Sequence, residues 1–195
     1  MVHLTFILVT PPGDELGLIL WIVCILATIL LLSYASRWIA HRIWKGKARM
    51  LDVMKDYESL LGHSIPRLRS ISETESCLRS APDKWSKKEI LGHLIDSASN
   101  NHQRFVRAQL GGEIRLPQYD QEAWVRAQSY QTESWERLIN LWEAYNLHLL
   151  HTISRIPEER LSSTCFIGEN PPVSLEFLIT DYINHLRHHL RQILP

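Results

Sequence analysis

The chain has 195 residues, enough for one domain with a sizeable core and a short appendage, and its 21 Lys and Arg balance 21 Asp and Glu. That balance excludes the basic footprint of a nucleic-acid-binding protein. Cys24, Cys77 and Cys165 are odd in number, widely spaced and without a C-x-x-C, which excludes a disulfide framework and a cysteine zinc site and suits a reducing compartment.

From Leu16 to Tyr34 no residue is charged, and a helix of that length rises about 28 Å, close to the thickness of a bilayer core. The spacing predicts a single transmembrane helix over residues 16–36 after a short extracytoplasmic tail, 1–15. Asp14 and Glu15 precede the run where a cleaved signal peptide would carry positive charge. Arg37, Arg42, Lys45, Lys47 and Arg49 follow it, so the positive-inside rule places the rest of the chain in the cytoplasm. If the leader lies upstream of the native start, the domain is simply cytoplasmic. Beyond residue 49 the chain is mildly acidic, with 16 basic and 19 acidic residues.

Residues 37–65 read as a basic linker helix, ending near Gly62, and Pro66 is expected to open the first bundle helix, running towards Cys77. The domain is then 66–195. Ser86 and Glu89 form a capping box that starts a second helix, stopped near Leu110 by Gly111-Gly112. Its apolar positions are Ile90, Leu94, Ala98, Phe105 and Val106, yet His93, Asp96, Ser97, Asn100 and Asn101 lie on or beside the same face. Such failures of patterning tend to mark function, although solvated Asp and Asn residues and a boundary histidine would also account for them.

Residues 111–131 read as a long ordered loop, and Thr132 is expected to cap a third helix reaching Ile156 with Trp135, Leu138, Leu141, Trp142, Tyr145 and Leu149 at core spacing. A second loop, 157–172, leads to a last helix capped by Ser174. There Leu178, Tyr182, His185, His189 and Ile193 form one stripe, so two histidines one turn apart point towards the core. That is metal-ligand spacing. His185 with His188 is also a same-face pair, and a third ligand must come from another element.

Three separated motifs, Trp85-Ser86-x-x-Glu89-Ile90-Leu91-Gly92-His93-Leu94-Ile95-Asp96-Ser97, then Tyr119-Asp120-x-Glu122-Ala123-Trp124, then Tyr182-x-x-His185-x-x-His188-His189, together resemble the DinB-like superfamily. The likeness is to its YfiT-type branch of metal-dependent hydrolases and bacillithiol S-transferases, and it covers residues 66–194. It implies an all-α fold, a four-helix bundle, here preceded by the transmembrane helix. It also implies a divalent metal, zinc first and nickel admissible, held by His93, His185 and His189, with a small-molecule substrate and with homodimers admitted.

Three neutral imidazoles leave such an ion electrophilic and open to either activated water or a bound thiolate. Asp96 is the obvious acid near the site, either as general base of a hydrolase or, slightly favoured, as a group that orients a ligand imidazole. Transfer of a low-molecular-weight thiol of the bacillithiol type, as cosubstrate, is the narrow choice over hydrolysis, with a non-catalytic metal-binding scaffold as the third reading. Arg104, Arg107 and Arg115 are candidate partners for that thiol's carboxylates.

Overall fold

The computed structural model describes residues 14–111 and 113–194. The chain divides into two compact units, Met1–Lys47 and Ala48–Pro195. The described part of the first is helical and holds one segment, Glu15–Trp38, long and apolar enough to cross a membrane; none of its apolar window is buried within the protein.

Helix α1 is recorded as Glu15–Arg69, and its residues from 48 onwards belong to the second unit. The expected break at Gly62 and Pro66 is absent: Pro66 lies inside the last turn of α1, and Tyr57, Leu61 and Leu68 bury one continuous face. Packing of that face outweighs the single hydrogen bond that proline removes. The bundle therefore draws on residues before Pro66. Cys77 is not on this helix either, because a one-turn helix α2, Glu73–Ser76, intervenes.

Three further long helices complete a four-helix bundle: α3, Lys87–Gln109; α5, Trp135–Ser154; and α6, Leu175–Ile193. The capping box at the start of α3 forms as expected, with Ser86 Oγ accepting from Glu89 N and Glu89 Oε2 accepting from Ser86 N at 2.8 Å. Ser174 caps α6 as expected. Helix α5 is capped by Ser134 rather than Thr132, which belongs to a 3-10 turn, Tyr130–Thr132. Leu141 faces solvent while its neighbour Trp142 is buried, and Asn146, one turn further on, is buried although polar. Asn146 Oδ1 accepts from the Tyr57 hydroxyl at 2.8 Å and the Tyr182 hydroxyl at 2.6 Å, and Asn146 Nδ2 donates to the Trp142 carbonyl at 2.7 Å. One polar side chain thus ties α1, α5 and α6 together.

The two predicted loops are more than loops. The first contains strand β1, Ile114–Leu116, and helix α4, Gln121–Gln128; the second contains β2, Thr164–Ile167, and β3, Val173–Ser174. The strands make one sheet in the order β1-β2-β3, parallel with Ile114 opposite Cys165, then antiparallel with Thr164 opposite Ser174. The chain is mostly helical and not all-α. Strands of two to four residues are too short to show alternation in the sequence.

Candidate metal centre

Helices α3 and α6 run antiparallel, with Lys87 Nζ at the start of α3 donating to the Ile193 carbonyl at the end of α6 over 2.7 Å. This pairing brings His93, His185 and His189 into one cluster whose ligand atoms all lie within 4.8 Å of one another. The Nε2 atoms of His93 and His185 are 3.1 Å apart. Two nitrogens bound tetrahedrally to zinc at ordinary bond lengths would be separated by about 3.3 Å. His188, the alternative partner in the sequence register, is exposed and outside the cluster.

The far side of two rings is also determined. His189 Nδ1 meets Gln192 Oε1 at 3.0 Å, and since a carbonyl oxygen can only accept, Nδ1 carries the proton and Nε2 keeps its lone pair. Ser97 Oγ lies 3.4 Å from His185 Nδ1. His93 is fully buried beneath the Trp85 ring, centroids 5.2 Å apart, and its Nδ1 has no hydrogen-bond partner. Burial, and then the neighbouring imidazoles, depress His93 to a pKa of about 3 and His185 to about 4. His189 is lowered too, chiefly by burial. All three rings are therefore neutral at pH 7, the state in which imidazole binds metal. The donor set, its spacing and its fixed tautomer fit a divalent cation.

The polar face of α3 is buried rather than solvated: His93 is 0 % exposed, Asp96 2 %, Ser97 4 % and Asn101 7 %. Asp96 does not orient an imidazole. Its Oδ1 accepts from the Tyr130 hydroxyl at 2.7 Å and from Gln128 Nε2, while Oδ2 has no partner. Burial raises the proton affinity of its carboxyl despite these two donors.

The Tyr119-Asp120 motif explains how those donors arrive. Asp120 caps α4 by accepting from Ala123 N at 3.0 Å, and α4 buries Val125 before delivering Gln128 to Asp96. Ser129, at a φ of 52°, turns the chain so that Tyr130 follows it inward. Tyr119 itself lies beside Asp96, Ser97 and Arg104, and burial followed by the Asp96 charge raises its pKa to about 12.

Of the three arginines singled out in the sequence, Arg107 is exposed and bonded to Gln103, and Arg115 is exposed, paired with Glu113 and stacked over Phe166 at 4.4 Å. Arg104 is half-buried on α3. Ser97, which the polar face of α3 already marked in the sequence, contributes to the site. Gln128, Tyr130 and Gln192 contribute too and were missed as functional positions; of these only Gln192, at helical spacing from His189, left a signal that could have been followed. An open cavity of about 750 Å³ lies on the outer side of Trp85 and Gln192, lined also by Leu78, Arg79, Lys87 and Glu122; the three histidines are not among its lining residues.

Three comparisons with known proteins bear on the family and the fold. Residues 61–193 match the family model described as the DinB superfamily. A protein of Oceanobacillus iheyensis named "putative metal-dependent hydrolase" is 24% identical over 143 residues, covering 73% of this chain and 80% of its own length. Among solved structures, YfiT of Bacillus subtilis, described as a probable metal-dependent hydrolase with an unusual four-helix bundle topology, aligns with a TM-score of 0.65 at 17% identity, over 74% of this chain and 83% of that one. A mycothiol-dependent maleylpyruvate isomerase aligns with a TM-score of 0.62 at 13% identity, over 74% of this chain and 60% of that one. By that match, from Leu61 on its first helix to Ile193 at the end of its histidine helix, this chain belongs to the DinB superfamily.

Proposed function

We propose that this chain is a metal-dependent enzyme that transfers a low-molecular-weight thiol to an electrophilic small molecule, with His93, His185 and His189 holding a divalent ion, zinc first. The observation that carries it is the convergence of three neutral imidazoles, one buried and two half-buried, from two helices with no charged donor among them. A divalent ion in such a site makes a bound thiol or water acidic enough to serve as a nucleophile at neutral pH. Ser97 and Gln192 hold the rings of His185 and His189, and Trp85 shields His93 from solvent. The cavity beyond Trp85 and Gln192 is of a size that takes a small-molecule substrate. The thiol-dependent isomerase with the same bundle is consistent with this choice at the level of fold alone.

Asp96 decides between the two chemistries. Its Oδ1 is occupied by Tyr130 and Gln128, which makes it a positioning residue that fixes α4 against α3, and thiol transfer asks no more of it. Hydrolysis is the second reading, favoured by the free Oδ2 and by the raised proton affinity that suits a general base.

The test is metal analysis of protein purified without a nickel column, followed by conjugation of thiols to 1-chloro-2,4-dinitrobenzene and hydrolysis of model esters and amides. Thiol transfer with Asp96→Asn reducing turnover only a few-fold supports the first reading. Thiol-independent hydrolysis that falls roughly a hundredfold or more in the same variant overturns it in favour of the second. Inactivity in both assays with metal bound favours a metal-binding scaffold.

We also propose that Glu15–Trp38 spans a membrane, with Arg37 and the basic residues after it holding the bundle on the cytoplasmic side. Fractionation of cells expressing the full chain is expected to find it in the membrane pellet, resistant to carbonate and released by detergent. Recovery in the soluble fraction would remove the anchor from this account.

A further inference from the structure

A second pair of imidazoles lies on the other side of α3. His102 follows His93 by nine residues, which turns it to the opposite face of the helix and carries it about 13.5 Å along the axis. There it meets α5. The His102 ring lies 5.1 Å, centroid to centroid, from the ring of His148, at an interplanar angle of 83°. Within the imidazole cluster the corresponding separations are 5.0, 4.8 and 4.6 Å. Two imidazoles bound tetrahedrally to one zinc at ordinary bond lengths have centroids about 5 Å apart. Two rings from different helices therefore stand at the separation that a shared ion requires.

The way His102 is held points to the same use. Tyr145, one turn before His148 on α5, sets its ring at 90° to that of His102 with centroids 5.7 Å apart, and its hydroxyl lies 3.3 Å from His102 Nδ1. The hydroxyl oxygen can accept from Nδ1–H, which leaves the lone pair on Nε2, the arrangement that Gln192 gives His189. Burial, and then the His148 charge, lower the pKa of His102, so this ring is neutral at pH 7. His102 is half-buried and His148 exposed, so an ion between them is within reach of water for its remaining ligands.

We infer that His102 and His148 form a second metal site, linking α3 to α5, which takes a divalent transition ion on two imidazoles and water. The ion class is zinc, nickel or copper, because a pair of nitrogen donors suits these ions and the hard cations magnesium and calcium require oxygen. The site is distinct from the cluster of His93, His185 and His189 in face and in level, and its role is to hold two helices of the bundle together. The unfolded chain does not bring the two rings together, so binding there stabilises the folded state by mass action. With two protein donors instead of three, it holds its ion less tightly than the cluster does.

The test is zinc stoichiometry of the full chain in detergent, by equilibrium dialysis with mass-spectrometric metal analysis, and zinc-dependent melting as a second measurement. His102→Gln and His148→Gln keep the size and polarity of the side chains and remove the imidazoles. The wild type is expected to bind about one zinc more than either variant at saturation, and its melting temperature should go on rising with zinc after theirs has levelled off. His63→Gln, at an exposed histidine whose Nδ1 bonds to the Ser59 carbonyl, should keep the extra ion. Because the readout is the difference between wild type and variant, it is separable from the cluster: a cluster that binds nothing would lower every count by one and leave that difference intact. Equal stoichiometry in wild type, His102→Gln and His148→Gln would overturn the assignment. Loss of the same ion in His63→Gln would also overturn it, by showing adventitious binding to surface histidines.

Discussion

Alanine in place of His93, His185 or His189 is expected to reduce bound metal from about one equivalent per chain to near none and to abolish the rise in melting temperature that added zinc gives the wild type. Three donors leave no redundancy, and each ring comes from a position where the helix backbone cannot shift another ligand into its place. His188 is the control. It meets the site edge-on at the His189 ring, centroids 5.0 Å apart, and through Gln192, whose Nε2 lies 3.1 Å from His188 Nε2 while its Oε1 holds His189. His188→Ala should therefore keep near-stoichiometric metal, with affinity weakened by roughly tenfold at most, and Gln192→Ala should behave similarly. Metal analysis by mass spectrometry with a zinc-dependent thermal melt reads both quantities. Retention of metal by His189→Ala together with its loss in His188→Ala would show that the ligand register is the other one.

Gly92→Ala is expected to destabilise the domain by about 2–4 kcal/mol, even though alanine is the better helix former. A Cβ at Gly92 would lie 2.1 Å from Tyr130 Cδ2 and 2.3 Å from Cγ, so the Tyr130 ring must leave its seat on α3. Moving it also withdraws the hydroxyl that Asp96 accepts from at 2.7 Å, a hydrogen bond to a charged group inside the protein. Such a loss corresponds to a drop in melting temperature of roughly 5–15 °C for a domain of this size. The double variant Gly92→Ala/Tyr130→Ala should be much less unstable than the two single losses added together, because the clash disappears with the ring. A melting temperature for Gly92→Ala within a degree of wild type would mean that the close approach of Tyr130 to α3 is wrong. The glycine of the Leu91-Gly92-His93 motif therefore serves the neighbouring acid, and the histidine serves the metal cluster.

Much of the bundle was legible before any tertiary contact was known. The capping box at Ser86 and Glu89 and the cap at Ser174 are local hydrogen-bond patterns, complete within four residues, and they form as read. Pro66 shows where local reading stops: a proline in a final turn loses one hydrogen bond, and whether that ends the helix depends on what Tyr57, Leu61 and Leu68 pack against. The same is true on α5, where apolar spacing wrongly included Leu141 and passed over Asn146, a polar residue that is buried because hydroxyls from two other helices meet it.

By itself, the sequence determined that α6 presents histidines to the interior, that His93 sits on a face too polar for an ordinary core helix, and that the apolar segment after Asp14 is long enough for a membrane. These are consequences of helical periodicity and length, which a chain carries in its own spacing. Only the tertiary structure decided that α3 and α6 run antiparallel with their histidines level and that Asp96 is held by Tyr130 and Gln128 instead of supporting an imidazole. Each of these depends on contacts between residues more than thirty positions apart, and strands β1 and β2 pair across about fifty residues. Such contacts follow from the whole packing of the core, and no local pattern encodes them.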